Sequence, residues 1–205
     1  MIKDIPNLMP FQLEPLNADT FAQQKFLRLR ERFNIRTAIE TGTALGGTTV
    51  FLGKNFDRTF TIEINKAWLK IAISRFESAG VSNKIKPYLG SSEKVLDDIL
   101  QLYSLGDDTL IFCDSHWNEY CPLLDELRII AKNKIKPVIV IHDFKVPDEP
   151  ELGYDSYNGQ AFTYEWIKPL LIEIYGGIDK YEYFYNSDET STSVKRGIIY
   201  ITPRQ

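Results

Sequence analysis

Several things are scarce in this sequence, and each scarcity removes a class of protein. Only 2 cysteines occur among 205 residues, and Cys113 and Cys121 lack the C-x-x-C spacing of a redox or zinc motif. A disulfide scaffold is excluded, and both thiols are expected to be reduced, as in the cytoplasm. No apolar run approaches the roughly 18 residues that a membrane-spanning helix needs. The opening residues 1–6 lack the apolar centre of a secretory signal, so the expected setting is cytoplasmic, without a membrane partner. A basic excess is missing as well: 24 Lys+Arg stand against 28 Asp+Glu, a net charge of −4. Proteins that neutralise many phosphates carry a basic stripe or a pI above about 9, so no nucleic-acid partner is expected. Histidine is rare too, with 2 in the chain, and both stand beside aspartates.

What is present describes an ordinary globular protein, 43% hydrophobic and 25% charged. A chain of this length can bury a core as one domain. The expected organisation is a single domain over 1–205, with an arm and helix in 1–35 and a cofactor-binding sheet and acceptor lid in 36–205. Prolines 6, 10 and 15 predict an extended arm. Asp19 or Thr20 can cap a helix over 21–30 in which Phe26, Leu29 and Phe33 share a face.

From residue 36 onward short runs of Val, Ile, Phe and Thr alternate with helical stretches. Strands are expected at 37–40, 59–64, 86–89, 109–113 and 137–142, with helices at 48–54, 66–79, 92–103 and 122–133. Strands separated one by one by helices predict a parallel sheet covered on both faces. In the second of these helices Leu69, Ala72, Ile73 and Phe76 are expected in the core. The chain closes with a helix over 162–174 that Pro169 can kink, a strand at 181–185 and a last strand at 197–202. These two predict an antiparallel hairpin. The fold class is α/β: a Rossmann-like open, mostly parallel seven-stranded sheet with helices on both faces and a C-terminal antiparallel hairpin.

Ligands of such sheets bind beyond the carboxyl ends of the strands. The first strand ends in Glu40-Thr41-Gly42-Thr43-Ala44-Leu45-Gly46-Gly47, a glycine turn opening into a helix. The spacing is not G-x-G-x-x-G, and a carboxylate at Glu40 disfavours a pyrophosphate while suiting a cationic or zwitterionic ligand. The second strand ends in Glu63-Ile64, where a carboxylate can accept from both hydroxyls of a ribose. The third leads to Ser91 and Ser92, small enough for the edge of a base.

These residues resemble the class I S-adenosylmethionine-dependent methyltransferases. The E-x-G-x-x-x-G variant at Glu40, Gly42 and Gly46 is similar to the first motif of the catechol-type small-molecule O-methyltransferases, and the likeness runs over about 37–203. It implies S-adenosylmethionine as cofactor. Its methionine part would lie on the loop of Gly42, Thr43 and Gly46, its ribose at Glu63 beside Ile64, its adenine near Ser91 or Ser92, and Asp114 would border it. Aspartates matching Asp114 and Asp143 bind Mg²⁺ in that family together with an Asn after the second, so the likeness makes Mg²⁺ a candidate cofactor held by Asp114 and Asp143. Here Phe144 stands where that third ligand would be.

The fourth and fifth strand ends, Asp114-Ser115-His116-Trp117 and His142-Asp143-Phe144, mark the reacting corner. Adjacent strand residues point to opposite faces, so His142 is expected to be a buried structural histidine and His116 the general base, with Asp114 and Asp143 organising the acceptor. Trp117, Tyr154, Tyr157 and Asn158 are the expected acceptor contacts. The last three fall in a long segment, 145–160, of the kind that serves as a lid. The expectation is an O-methyltransferase acting on a small hydroxylated molecule, a sugar or natural-product precursor, and a homo-oligomer is compatible with it. Two alternatives stand beside it: a metal-dependent hydrolase or hydroxylase-like protein on the same fold, and a non-catalytic S-adenosylmethionine-binding protein.

Overall fold

Runs of Val, Ile, Phe and Thr form strands here because branched and aromatic side chains fit a pleated surface buried on both faces. In the computed structural model, which describes residues 13–116, 120–187 and 194–205, β1 (Thr37–Thr41), β2 (Arg58–Glu63), β3 (Ile85–Leu89), β4 (Thr109–Cys113) and β5 (Val138–His142) pair in parallel. A two-stranded hairpin follows, β6 (Ser156–Tyr157) with β7 (Gln160–Ala161). Then β8 (Tyr181–Tyr185) and β9 (Ile198–Pro203) pair antiparallel, with β9 against β5. The main sheet has seven strands in the order β3-β2-β1-β4-β5-β9-β8, which is the expected fold.

Among the described residues, six α-helices cover the sheet: α1 (Thr20–Arg32), α2 (Gly47–Asn55), α3 (Lys66–Ser78), α4 (Ser92–Leu102), α5 (Leu123–Lys132) and α6 (Tyr164–Tyr175). Asp19 caps α1 by accepting from the Phe21 and Ala22 amides. Asn65 does the same for α3. The alternation along each strand sorts side chains between two cores. Ile39, Ile111, Ile139 and Ile201 meet α4, α5 and α6 residues such as Leu96, Leu127 and Leu171. Ala38, Leu110, Val138 and Tyr200 meet Phe26 and Leu29 of α1 and Leu52 of α2. Strand order reverses between β1 and β4, so the crevice for a ligand opens where Thr41 and Asp114 leave the sheet.

Three local expectations are corrected. Pro15–Ala18 forms a 3-10 turn, not extended chain, and buries Leu16; the rest of the arm through residue 12 lies outside the described residues. Ile73 is exposed, because α3 buries only the stripe of Leu69, Ala72 and Phe76. The segment 145–160 is not irregular throughout, since Asn158 and Gly159, both at positive φ, turn β6 into β7.

Candidate functional site

The loop after β1 is built around glycine. Gly42 has φ +94°, and a Cβ there would overlap the carbonyl of Asp114. Any other residue would push β1 and β4 apart at their ends. The amides of Gly42 and Thr43 both donate to the Ile62 carbonyl, at 3.0 and 3.1 Å. The Asp114 amide donates to the Thr41 carbonyl at 3.0 Å. Gly46, at φ +80°, starts α2 against Phe76. The loop therefore joins the ends of β1, β2 and β4 in one rigid unit.

Two glutamates support it. Glu40 is buried, and its carboxylate accepts from the hydroxyls of Thr49 and Thr61; the Thr43 and Thr61 hydroxyls share a further hydrogen bond of 2.6 Å. Burial lifts the Glu40 carboxyl to about 8, against the opposing pull of those two hydroxyls. At neutral pH it is therefore mostly protonated, and it ties the loop to α2 and β2 from within rather than facing open solvent. Glu63 accepts from the Ala44 amide at 2.7 Å and the Asn65 amide at 2.8 Å. Burial again raises its pKa, and the backbone donors only partly counter it. Each carboxylate oxygen has a second lone pair, so Glu63 keeps acceptor capacity toward a ligand.

Around these, Thr43 is buried, Ile64 is 70% exposed, and Ser91 donates to Glu93. Ser92 is buried and lies 3.3 Å from the Ser115 hydroxyl, which donates to Glu126 at 2.6 Å. Sequence reasoning missed Glu126, a wholly buried acid on α5. Only its helical register, facing the sheet with Leu123, Leu127 and Ile130, marks it.

The second corner is ionic. His116 is buried, and its Nε2 lies 2.8 Å from Asp143 Oδ2. It stands 3.8 Å from Asp114 Oδ1 and 3.7 Å from Asp155 Oδ2. Arg196 donates through Nε to Asp143 and through Nη2 to Asp155. Phe162 meets the His116 ring edge-on with centroids 4.9 Å apart, and Tyr157 stacks on Phe162 at 5.7 Å. Burial alone would raise the Asp143 carboxyl, but His142, His116 and Arg196 overcome it and hold the group far below the usual carboxylate range. His116 runs the other way: burial opposes its charge, while Asp143 and Asp114 outweigh that and raise its pKa.

His142 is the main correction at this site. Regular alternation would send His142 and Asp143 to opposite faces, yet both reach Asp114. The strand ends at His142, and Asp143 takes φ +56°, which swings its side chain back to the side of its neighbour. His142 Nδ1 lies 3.2 Å from Asp143 Oδ1 and 3.4 Å from Asp114 Oδ1. Both carboxylates are within ion-pair distance, but neither approach has the directional geometry of a hydrogen bond to this buried nitrogen. Phe144 is fully buried and stacks on Tyr185 at 6.2 Å, so position 144 turns into the core and offers no ligand. For a divalent cation the pair Asp114 and Asp143 fits, with the orphaned His142 nitrogen facing both.

Among the expected acceptor contacts, Tyr157 lies in the ionic corner. Tyr154 is exposed with Lys145 over its ring, and Asn158 sits exposed at the tip of the small hairpin, where its positive φ serves the turn. Trp117 lies outside the described residues. Asp155 and Arg196 were not foreseen. The signal for the hairpin that carries Asp155 was the Asn158-Gly159 pair, a strong turn signature.

Among the described residues, no helix is long and apolar enough to cross a membrane. The model of the O-methyltransferase family matches residues 20–138, more than half of the chain. Among curated proteins, none matches this chain. Solved structures do. The O-methyltransferase TomG from Streptomyces achromogenes, involved in tomaymycin synthesis and solved with SAM, is 17% identical with a TM-score of 0.66, over 100% of this chain and 85% of that one. An O-methyltransferase from Bacillus cereus in complex with SAH is 19% identical with a TM-score of 0.62, over 97% of this chain and 83% of that one. At such identities the likeness establishes the fold, and the family match carries the rest. The chain belongs to the O-methyltransferase family, and the expectation of an S-adenosylmethionine-dependent O-methyltransferase on a Rossmann-like sheet is met.

Proposed function

We propose that this enzyme moves the methyl group of S-adenosylmethionine to a hydroxyl of a small, hydroxylated acceptor held at the ionic corner. The observation that carries the reading is the contact between the two corners: the Gly42 backbone packs directly on the main-chain carbonyl of Asp114, so the loop that would support the sulfonium and the residue that opens the cluster meet at one strand end. Glu63 accepts from the ribose hydroxyls, the loop of Gly42, Thr43 and Gly46 supports the methionine part, and Ser91 and Ser92 border the adenine.

The chemistry needs the acceptor oxygen in line with the sulfonium methyl and its proton removed. Asp143 orients His116 by accepting from Nε2–H, which leaves Nδ1 to take the acceptor proton as the new O–C bond forms and the S–C bond breaks. The products are the methyl ether, S-adenosylhomocysteine and protonated His116. Arg196 fixes Asp143 and Asp155 so that the base keeps its orientation. A divalent cation, held by Asp114 and Asp143, would supply Lewis-acid polarisation of the acceptor hydroxyl when bound. Tyr157 and Phe162 wall the corner and exclude water. The −4 net charge favours a small molecule over a nucleic acid, and the two free thiols favour a cytoplasmic setting.

The test is calorimetric titration with S-adenosylmethionine and S-adenosylhomocysteine, followed by methyl transfer from labelled cofactor to a panel of sugars and phenols. Binding together with an alkali-stable methyl ether product is the expected result. Absence of cofactor binding in the folded protein would overturn the assignment of the loop.

A further inference from the structure

We propose that His142 is the third protein ligand of the divalent cation, replacing the ligand lost at Phe144, and that the resulting site prefers a transition metal such as Mn²⁺ to Mg²⁺. The inference rests on the reading of Asp114 and Asp143 as a cation pair, and it adds a residue and a metal preference.

The donor atoms of Asp114, His142 and Asp143 lie within 4.8 Å of one another. Acidic clusters on surfaces are common and mean little alone. Here the third member is a buried imidazole whose Nδ1 faces both carboxylates without a hydrogen bond, and buried polar atoms in folded proteins are normally paired. The left-handed backbone at Asp143 is what brings consecutive side chains to one point. A second trio, His116, Asp143 and Asp155, is also close enough to be considered. There the imidazole nitrogen already bonds to Asp143 and the Asp155 carboxylate already accepts from Arg196. The unfilled donor belongs to the first trio. Asp143 Oδ1 also accepts from Arg196, but its second lone pair remains for a metal.

Charge points the same way. With both imidazoles neutral, as ligation by His142 requires, Asp114, Asp143 and Asp155 carry three negative charges and Arg196 returns one, so the two that remain match one divalent cation. The preference follows from the donors: Mg²⁺ favours an all-oxygen octahedral shell, whereas imidazole nitrogen suits Mn²⁺, Co²⁺ and Zn²⁺ progressively better.

The experiment uses chelator-treated full-length protein, titrated with MnCl₂, ZnCl₂ and MgCl₂. Pulsed EPR of the Mn²⁺ complex then looks for coupling to ligand ¹⁴N. Mn²⁺ should bind at least tenfold more tightly than Mg²⁺, and the ¹⁴N coupling should vanish in His142→Leu. In His142→Asn, which offers an oxygen, the ratio of the two affinities should fall toward one. Equal affinities in the wild type, or a ¹⁴N coupling that survives His142→Leu and disappears in His116→Leu, would overturn the assignment. If His142→Leu does not fold, the wild-type spectrum and His142→Asn decide. S-Adenosylhomocysteine binding is measured on the same samples. Cofactor binding without Mn²⁺ binding sinks this proposal alone, whereas Mn²⁺ binding without cofactor binding sinks the cofactor site alone.

Discussion

The two corners of the crevice bury acids in opposite ways. At the end of β1 and β2, Glu40 and Glu63 are surrounded by neutral donors, the hydroxyls of Thr49 and Thr61 and the amides of Ala44 and Asn65. Neutral donors do not cover the loss of water, so both carboxyls are pushed upward. At the end of β4 and β5, Asp143 is also buried but faces Arg196 and the imidazoles of His142 and His116, and their favourable charge and hydrogen bonds hold it downward. Burial alone does not set protonation; the charge of the partner does. In the function proposed above, the first corner supports a ligand that brings its own positive charge, and the second carries the proton and metal chemistry.

The sharpest way to break this contrast is to remove the acid on which the ionic corner converges. Asp143→Ala leaves Arg196, His116 and His142 facing one another, and should abolish turnover and lower stability by about 3–5 kcal/mol, read from urea denaturation. Retained activity would place the chemistry elsewhere. In the neutral corner Glu63→Ala should weaken S-adenosylmethionine by roughly 2 kcal/mol, the loss of charge-assisted hydrogen bonds; calorimetry checks it, and the Ala44 and Asn65 amides left without their acceptor should cost about 1–3 kcal/mol of stability.

The pH dependence distinguishes the corners directly. Glu40 has its folded pKa raised from 4.5 to about 8, so its contribution is fully present below pH 4.5 and is lost as pH rises toward 8. Glu40→Gln should therefore flatten the decline in melting temperature between pH 5 and 8, with a gain of about 1–3 kcal/mol at the upper end. Asp143, lowered, contributes stability that is present above its unfolded pKa and fails only in strong acid. A melting curve that falls equally in wild type and Glu40→Gln would show that another group titrates. The smallest effect is expected at the rim: Tyr154→Ala should change stability by less than about 0.5 kcal/mol while raising the KM for the acceptor, measured by steady-state kinetics.

Much of the fold was readable because each signal was local. The apolar run Val138-Ile139-Val140-Ile141 announces a strand buried on both faces, and it is β5 with all five residues buried. Asp19 before an apolar periodic stretch announces the cap of α1. The glycine loop and its neighbouring acid were readable for the same reason, since Gly42, Gly46 and Glu63 stand at strand ends whose positions periodicity already marks.

The ionic corner was only half readable. Arg196 meets Asp143 across 53 residues and Asp155 across 41, and no sequence window contains those pairs. His142 is buried as expected, but it was expected not to share a pocket with Asp143, because period two assumes an unbroken strand and a single residue at φ +56° ended it. Ile73 was misplaced because helical spacing identifies a stripe but not how far the neighbouring surface reaches. The sequence by itself determined the order of strands and helices, the glycine loop and the acids at the strand ends, because these follow from side-chain volume, hydropathy and backbone freedom over a few residues. Only the tertiary structure decided which charges neutralise which, and so which carboxyl is protonated and which nitrogen is left without a partner, because electrostatic pairing depends on distance in space rather than along the chain.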